Sequence, residues 1–505
     1  MSRIPFVSLV TLALCLCTGL ANADEPAVEA LTRVVNGRTF DQFVQKALVD
    51  YAVPGAVIAV AKSDGPVFVR GYGVREVGKT ALVDTQTRFQ IASVSKFIAA
   101  TAVGTLVDRG IVAWDRPIAT FAPQLELAVP YATQNATLRD FFAHRTGLPA
   151  YTGDLLTEFE LEPAELVRRA RFLPFDHSFR ERWAYSNYGV FLGQQAAAQA
   201  AGLTAPQLLA HTVLEPLGMK RSGPVQAILF EDENRAAAHD LDGSVMAYEN
   251  VDAFSGAGAV VSTGADIARW MSMLLAGGVF EGRQMLTDAT LGAIVAASMV
   301  EGPSGPLHDP NAAAGLGCDS YHFLNRRVVE KNGALNGVRT IVSLIPELKV
   351  GIAIFANKQL TVFPEAVRAE FLEREIGASG RDLQAEIRSE QASWTNLVAI
   401  PKPPADALPM AHPLDAYAGV YQGALYGQLR IAATNDGLVV TIGGRPAKLT
   451  LWSGDAFLLT FPNPDVAPGL LTFRFQNGAA TSARIDGSRV AGTMSVNYGS
   501  FTRVP

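Results

Sequence analysis

Ser93 and Lys96 place a hydroxyl and an amine one helical turn apart, on one face of a helix expected over residues 94–109. Of the ten lysines in the chain, only Lys96 has a serine three positions before it. Ser93 stands where that helix begins, among free backbone N–H groups and at the positive end of the helix dipole. A serine so placed can attack a carbonyl while neighbouring amides hold the oxyanion that forms. The same residues also read as a capping serine followed by a solvated lysine. The pair therefore needs company.

Two further groups supply it. Tyr185-Ser186-Asn187 lies in a polar loop just before a helix expected over residues 189–201, and Lys331-Asn332-Gly333 follows the β-like Val328-Val329. Each has a competitor. Lys349-Val350-Gly351 repeats the third pattern, but it falls in a hairpin turn after Pro346, a poor place for an inward-facing cation. Tyr248-Glu249-Asn250 repeats the second and is not excluded by its chemistry. A different motif, Gly73-x-x-x-x-Gly78-Lys79-Thr80, matches a phosphate-binding loop in form only. Its interior carries two valines, an arginine and a glutamate, and no helical period comes after it to bring an N-terminus to an anion. It reads as a strand and turn.

In this order and spacing, Ser93-x-x-Lys96, Tyr185-Ser186-Asn187 and Lys331-Asn332-Gly333 resemble the serine β-lactamase and penicillin-binding-protein superfamily. The branch they resemble holds class C β-lactamases, D-aminopeptidases, D-Ala-D-Ala carboxypeptidases and family VIII esterases. Residues 142–149, 215–219 and 261–266 are similar to further stretches of that family, and the resemblance covers about residues 36–375. It implies Ser93 as nucleophile, Lys96 and Tyr185 as the base system, and an oxyanion hole from the N–H groups of Ser93 and Ala334. It also implies that Asn187 holds Lys96 and the substrate amide, with Lys331, Asn332 and Gly333 binding substrate.

Physical chemistry supports that transfer. Free tyrosine and lysine titrate near 10 and about 10.4, so a neutral Lys96 at pH 7 would cost about 4 kcal/mol. A tyrosine flanked by two ammonium groups is lowered by roughly 1–3 pKa units for each. Tyr185 between Lys96 and Lys331 can thus serve as an anionic base, worth about 10²–10⁴-fold in rate. One departure stands out: many β-lactamases and penicillin-binding proteins carry a hydroxyl residue where Asn332 stands, and it helps to hold a substrate carboxylate. Lys331 still offers a cation there, whereas many esterases of the family lack the lysine.

The elements that must position these groups can be read in outline. Residues 56–61 and 66–72 form a β-rich hairpin, residues 338–344 and 350–356 another, and helical stretches, including residues 267–275, lie between them. Strands from both ends with helices in the middle predict an α+β domain, the family's antiparallel sheet with an inserted helical subdomain. Five prolines between residues 401 and 413 mark a linker. Short β-runs come next, at 417–421, 427–431, 438–442, 458–461, 471–475, 483–485 and 493–496, and predict a small antiparallel barrel. With Tyr417-Ala418-Gly419-Val420-Tyr421, this tail resembles the lipocalin-like C-terminal domains of some family members. The expected divisions are a signal peptide over 1–23, a hydrolase domain over 24–375, a helical and proline-rich linker over 376–412, and a β domain over 413–505.

Composition narrows the function classes. With 42 basic and 48 acidic residues and no basic run, the chain lacks the footprint of a nucleic-acid binder. Arg3, an apolar run to Leu20 and Ala21-Asn22-Ala23 read as an export signal with a small-x-small cleavage site. Cleavage removes Cys15 and Cys17 and leaves Cys318 with no partner for a disulfide. No span crosses a membrane after that cleavage. The seven histidines form no helical metal pair, and Cys318, Asp319 and His322 read as pocket lining rather than a zinc site, so neither a metal nor a cofactor is expected. The expectation is an exported serine hydrolase for D-residue-containing peptides, including peptidoglycan-derived ones, or related carboxylate-bearing acyl compounds. The alternatives are a short-chain esterase, a β-lactamase, and a non-hydrolytic peptidoglycan or β-lactam sensor. Oligomeric state is not legible.

Overall fold

The computed structural model describes residues 25–159, 161–302, 307, 310–397, 402–435, 437–462, 468–486 and 497–504. The expected signal peptide lies outside them, as does the β-run at 493–496. The larger body is built on one antiparallel sheet. Its strands are β1 (Gly55–Lys62), β2 (Gly65–Gly73), β3 (Met299–Val300), β4 (Ala313–Ala314), β5 (Asp319–Phe323), β6 (Arg326–Leu335), β7 (Val338–Ile345) and β8 (Val350–Ala356). In space they run β2-β1-β8-β7-β6-β5-β4-β3. The N-terminal hairpin joins the C-terminal one edge to edge, with Ala56 opposite Ala356 and Lys62 opposite Val350.

Both faces of this sheet are covered, which is why β1 and β8 are almost wholly apolar and β7 is buried along its whole length. Alternation divides each strand between two cores. Val57, Ala59, Ala61, Val342 and Phe355 join the front core with Phe97 and Trp270. Ala56, Ile58, Val60, Ile352 and Ile354 join the back core with Phe363, Val367 and Phe371. Five helices bear on the site and its support: α1 (Val94–Asp108), α2 (Asn187–Ala200), α3 (Gly264–Leu275), α4 (Phe363–Glu375) and α5 (Leu383–Leu397). Helix α1 is buried on all sides from Val94 to Leu106, so it is the central rod of the front layer and not an amphipathic surface helix. Helix α4 closes the back face. The stretch expected to begin a polar linker is packed: Gln384 on α5 donates to Ala366 O at 3.1 Å, and Gln391 accepts from Val362 N at 3.0 Å.

The back face of β6 carries a buried charge system. Glu330 accepts from Tyr321 Oη at 2.9 Å and also pairs with Ser343 and with the Arg368 guanidinium of α4. Because neighbouring side chains on a strand point to opposite faces, Glu330 on the back fixes Lys331 on the front. The second body is a closed antiparallel barrel of eight strands, from Gly419–Gly423 round to Asn497–Arg503. Among the described residues, no helix is long and apolar enough to cross a membrane.

Removing Arg368 would leave Glu330 buried without its counter-charge, a change that costs about 3–5 kcal/mol in comparable buried pairs. Arg368→Ala is expected to lower the urea midpoint of the larger domain by a matching amount. An unchanged midpoint would show that the ion pair does not anchor β6.

Candidate active site

Ser93 sits at the N-cap of α1, and Ala92 just before it has a positive φ of 50°. The serine makes no capping bond of its own. Its hydroxyl is instead engaged by the two groups the motifs bring in. Tyr185 Oη lies 2.7 Å from Ser93 Oγ, and Lys96 Nζ lies 2.9 Å from it. Lys96 is 0% exposed and donates to Ala257 O at 2.5 Å. That carbonyl belongs to the π-helical turn Ser255–Ala259, pinned where Gly256 N donates to Gln194 Oε1 of α2 at 2.8 Å.

Tyr185 is held from several sides. Ser186 caps α2 by accepting from Gly189 N at 2.9 Å, and Ser186 N donates to His144 Nδ1 at 3.1 Å. The His144 ring lies against Tyr185, with centroids 4.7 Å apart, and His144 itself adopts a left-handed backbone with φ 56°. Tyr151 N donates to Tyr185 O at 2.9 Å. Burial, and then the charges of Lys331 and Lys96, hold His144 well below the ordinary histidine range. It is therefore neutral, and its Nδ1 is the acceptor for Ser186 N–H.

The two ammonium groups flank the Tyr185 ring, Lys96 Nζ at 4.9 Å and Lys331 Nζ at 5.1 Å from its centroid. Burial opposes ionisation of the Tyr185 phenol, but the charges of Lys96 and Lys331 outweigh it and hold its pKa below that of free tyrosine. Burial lowers Lys96 as well, against the opposing pull of Tyr185. For Lys331, burial is outweighed by the negative Asp319 and by Tyr185, so its pKa rises.

The third motif meets Ser93 through Gly333. A Cβ there would lie 2.7 Å from Ser93 N and 2.6 Å from Thr340 Oγ1, so only glycine lets β6 run this close to the helix start. Thr340 Oγ1 also donates to Ile91 O at 2.9 Å. The pairing of β5 with β6 ends at Asp319 opposite Glu330, while β6 stays paired with β7 out to Leu335. Beyond Glu330 the outer edge of β6 therefore has no strand beside it among the described residues. Asn332 and Ala334 lie on that open edge, which can receive an extended acyl chain as an added strand.

Three residues that the motifs did not single out for these roles shape the site. Asp319 forms a buried ion pair with Lys331 at 3.1 Å. Asp154 accepts from Asn187 Nδ2 at 2.7 Å. Asn187 thus gives one amide proton to Asp154, and Lys96 turns to Ala257 O. His144 lies within the family-like stretch 142–149, and Asp319 stood in the loose group beside the third motif. Asp154 had no sequence signal. The competitors fall elsewhere: Tyr248 Oη donates to Ala236 O at 3.0 Å, and Lys349, with φ 51°, closes the β7–β8 turn. Lys79 pairs with Glu76 on the surface, with no helix following. Cys318 is buried against Ile294 O, and no group of metal-ligating side chains exists among the described residues.

The β-lactamase family model matches residues 40–374, and a domain family of unknown function, DUF3471, matches residues 403–498. The unguisins hydrolase ungD of Aspergillus violaceofuscus is 24% identical over 433 residues, covering 78% of this chain and 76% of its own. The D-alanyl-D-alanine-carboxypeptidase/endopeptidase AmpH of Escherichia coli is 23% identical over 343 residues, 63% of this chain and 83% of its own. Among solved structures, the octameric penicillin-binding protein homologue of Pyrococcus abyssi superposes with a TM-score of 0.59 at 18% identity, over 89% of this chain and 98% of that one. SurE gives 0.57 at 19%, over 92% and 98%. With its family model spanning most of the larger body, its antiparallel sheet and its closed C-terminal barrel, this chain belongs to the β-lactamase family of serine hydrolases.

Proposed function

We propose that this chain is an exported hydrolase that cleaves amide bonds of D-residue-containing peptides, or related acyl compounds, through an acyl-enzyme on Ser93. The observation that carries it is the seating of Ser93 Oγ, 2.7 Å from a phenol and 2.9 Å from an amine. Tyr185 takes the Ser93 proton as Oγ attacks the acyl carbon, and the N–H groups of Ser93 and Ala334 receive the negative charge on the carbonyl oxygen. Tyr185 then returns the proton to the departing amine. A water molecule, deprotonated by the same phenolate, attacks the acyl carbon, and Tyr185 passes that proton to Ser93 Oγ as the acyl–oxygen bond breaks, releasing the acid and restoring the enzyme. Lys96 and Lys331 keep the phenolate accessible near neutral pH. The peptide preference draws on the activity for which AmpH is named, and export on the signal-like residues 1–23.

A second reading has its own support. Asp319 offsets the charge of Lys331, and Asn332 supplies no hydroxyl, so the site offers little net attraction to a terminal carboxylate. That favours neutral acyl compounds, short esters among them, over carboxylate-terminated ones and β-lactams.

This chemistry can be measured in three ways. A fluorophosphonate or penicillin probe should add one label, mapped by mass spectrometry to Ser93 and lost in Ser93→Ala; labelling that survives overturns the assignment. Gly333→Ala should slow acylation by about 10²-fold or more, on the scale of a lost oxyanion donor, because β6 must move away from Ser93 N; an unchanged rate would remove β6 from the site. Asp319→Asn should shift selectivity by about tenfold towards a carboxylate-terminated substrate over its amide-terminated twin. Equal response of both would mean that Lys331 does not face the substrate terminus.

A further inference from the structure

The barrel reaches into the larger domain at one turn. Its strands Gly419–Gly423 and Gly427–Thr434 pair with Gly423 opposite Gly427, and Ala424, Leu425 and Tyr426 project between them. Leu425 O accepts from Arg169 Nη1 at 2.7 Å. Tyr426 is only 1% exposed, and its ring meets Phe159 edge-on with centroids 6.2 Å apart. Its hydroxyl sits at the Gly153 backbone, near enough to Asp154 to feel that carboxylate. A second barrel turn backs the contact: Gly443 lies so close to Phe159 that a Cβ there would come within 2.4 Å of the ring.

The segment caught between these contacts is the short turn Asp154–Phe159. Phe159, its last residue, is clamped by the barrel. Asp154, its first, accepts the Asn187 Nδ2 proton at 2.7 Å. That bond decides which way the Asn187 amide faces. With Nδ2 committed to Asp154, Oδ1 is the end left to accept a substrate N–H. The other Asp154 oxygen, Oδ1, is buried without a hydrogen-bond partner, so packing and not a second bond must keep the carboxylate in place.

We propose that Tyr426 is a positioning residue which the barrel supplies to the hydrolase site: by bracing Gly153 and Phe159 it fixes the Asp154 carboxylate, and through it the orientation of the Asn187 amide. This rests on the reading of Ser93 as the nucleophile. The bracing is carried by the ring of Tyr426 against Phe159 rather than by its hydroxyl, and its consequence is selective. Substrates that offer an N–H to Asn187 depend on Tyr426, and small esters that offer none do not. The barrel thereby tunes selectivity for amide-bearing substrates without contributing a group to bond cleavage.

The experiment measures kcat/KM of the full chain for an N-acylated D-alanine p-nitroanilide and for p-nitrophenyl acetate, and takes their ratio. Tyr426→Ala and Asp154→Ala should each lower that ratio by about tenfold, the scale of one hydrogen bond to a neutral amide. The double variant should fall no further than either single, because both act on one path. Tyr426→Phe, which keeps the ring packing and the fold, should stay within about twofold of the parent. Fluorophosphonate labelling of Ser93 should persist in every variant; its absence from the parent would fail the nucleophile assignment, independently of Tyr426. An unchanged ratio in Tyr426→Ala, or a double variant whose loss is the product of the two singles, overturns the proposal.

Discussion

Everything in the larger domain is arranged around an ammonium group placed inside an apolar helix. Lys96 has no exposure to solvent, and its helix is buried on every side from Val94 to Leu106, with mostly apolar residues around it. An isolated charge there would be prohibitively costly. Three groups offset the burial: the Ser93 hydroxyl, the Ala257 carbonyl and the Tyr185 phenol. Each comes from a different part of the chain, so the fold must converge on this point to be stable. The same convergence brings the Ser93 hydroxyl against the Tyr185 phenol and the Lys96 amine.

Charge balance extends outwards from that centre. Lys331 is the second cation beside Tyr185, and it is buried only because Asp319 accompanies it. Glu301 stands near both, pushed up to about 8 by burial and by the negative Asp319. Asp154, pushed up to about 7 by burial, stands on the Asn187 side. The site thus holds cations at its core and carboxylates around its rim. A phenolate at Tyr185 is stabilised from within, while an incoming carboxylate meets an environment already close to neutral.

The parts legible in the sequence are those written in local pattern. Both hairpins, α1 and α2 are visible because apolar-rich runs end at Gly, Asp or Pro. The three motifs are visible because their residue types and order are distinctive. What escapes is pairing between distant segments. The barrel strand Arg445–Ser453 hides because it contains Pro446 and has no fully buried residue. Asp319 becomes legible only once the residues around Leu324 and Asn325 are read as a turn, which folds β5 back on β6 and brings Asp319 opposite Glu330. His144 and Asp154 gain their roles from contacts with Ser186 and Asn187, more than thirty residues away. No local period records such contacts.

The central claim is that two ammonium charges make Tyr185 the base. The pH dependence of Ser93 acylation by p-nitrophenyl acetate, compared between the parent and Lys331→Ala, tests it most directly. Removing one positive charge raises the phenol's pKa, so the acid limb of the profile should move to higher pH by about one unit or more. The rate at pH 7 should fall while the alkaline plateau largely persists. An acid limb that stays where it was in the parent would contradict the account, because the titrating base would then not be the phenol beside Lys331.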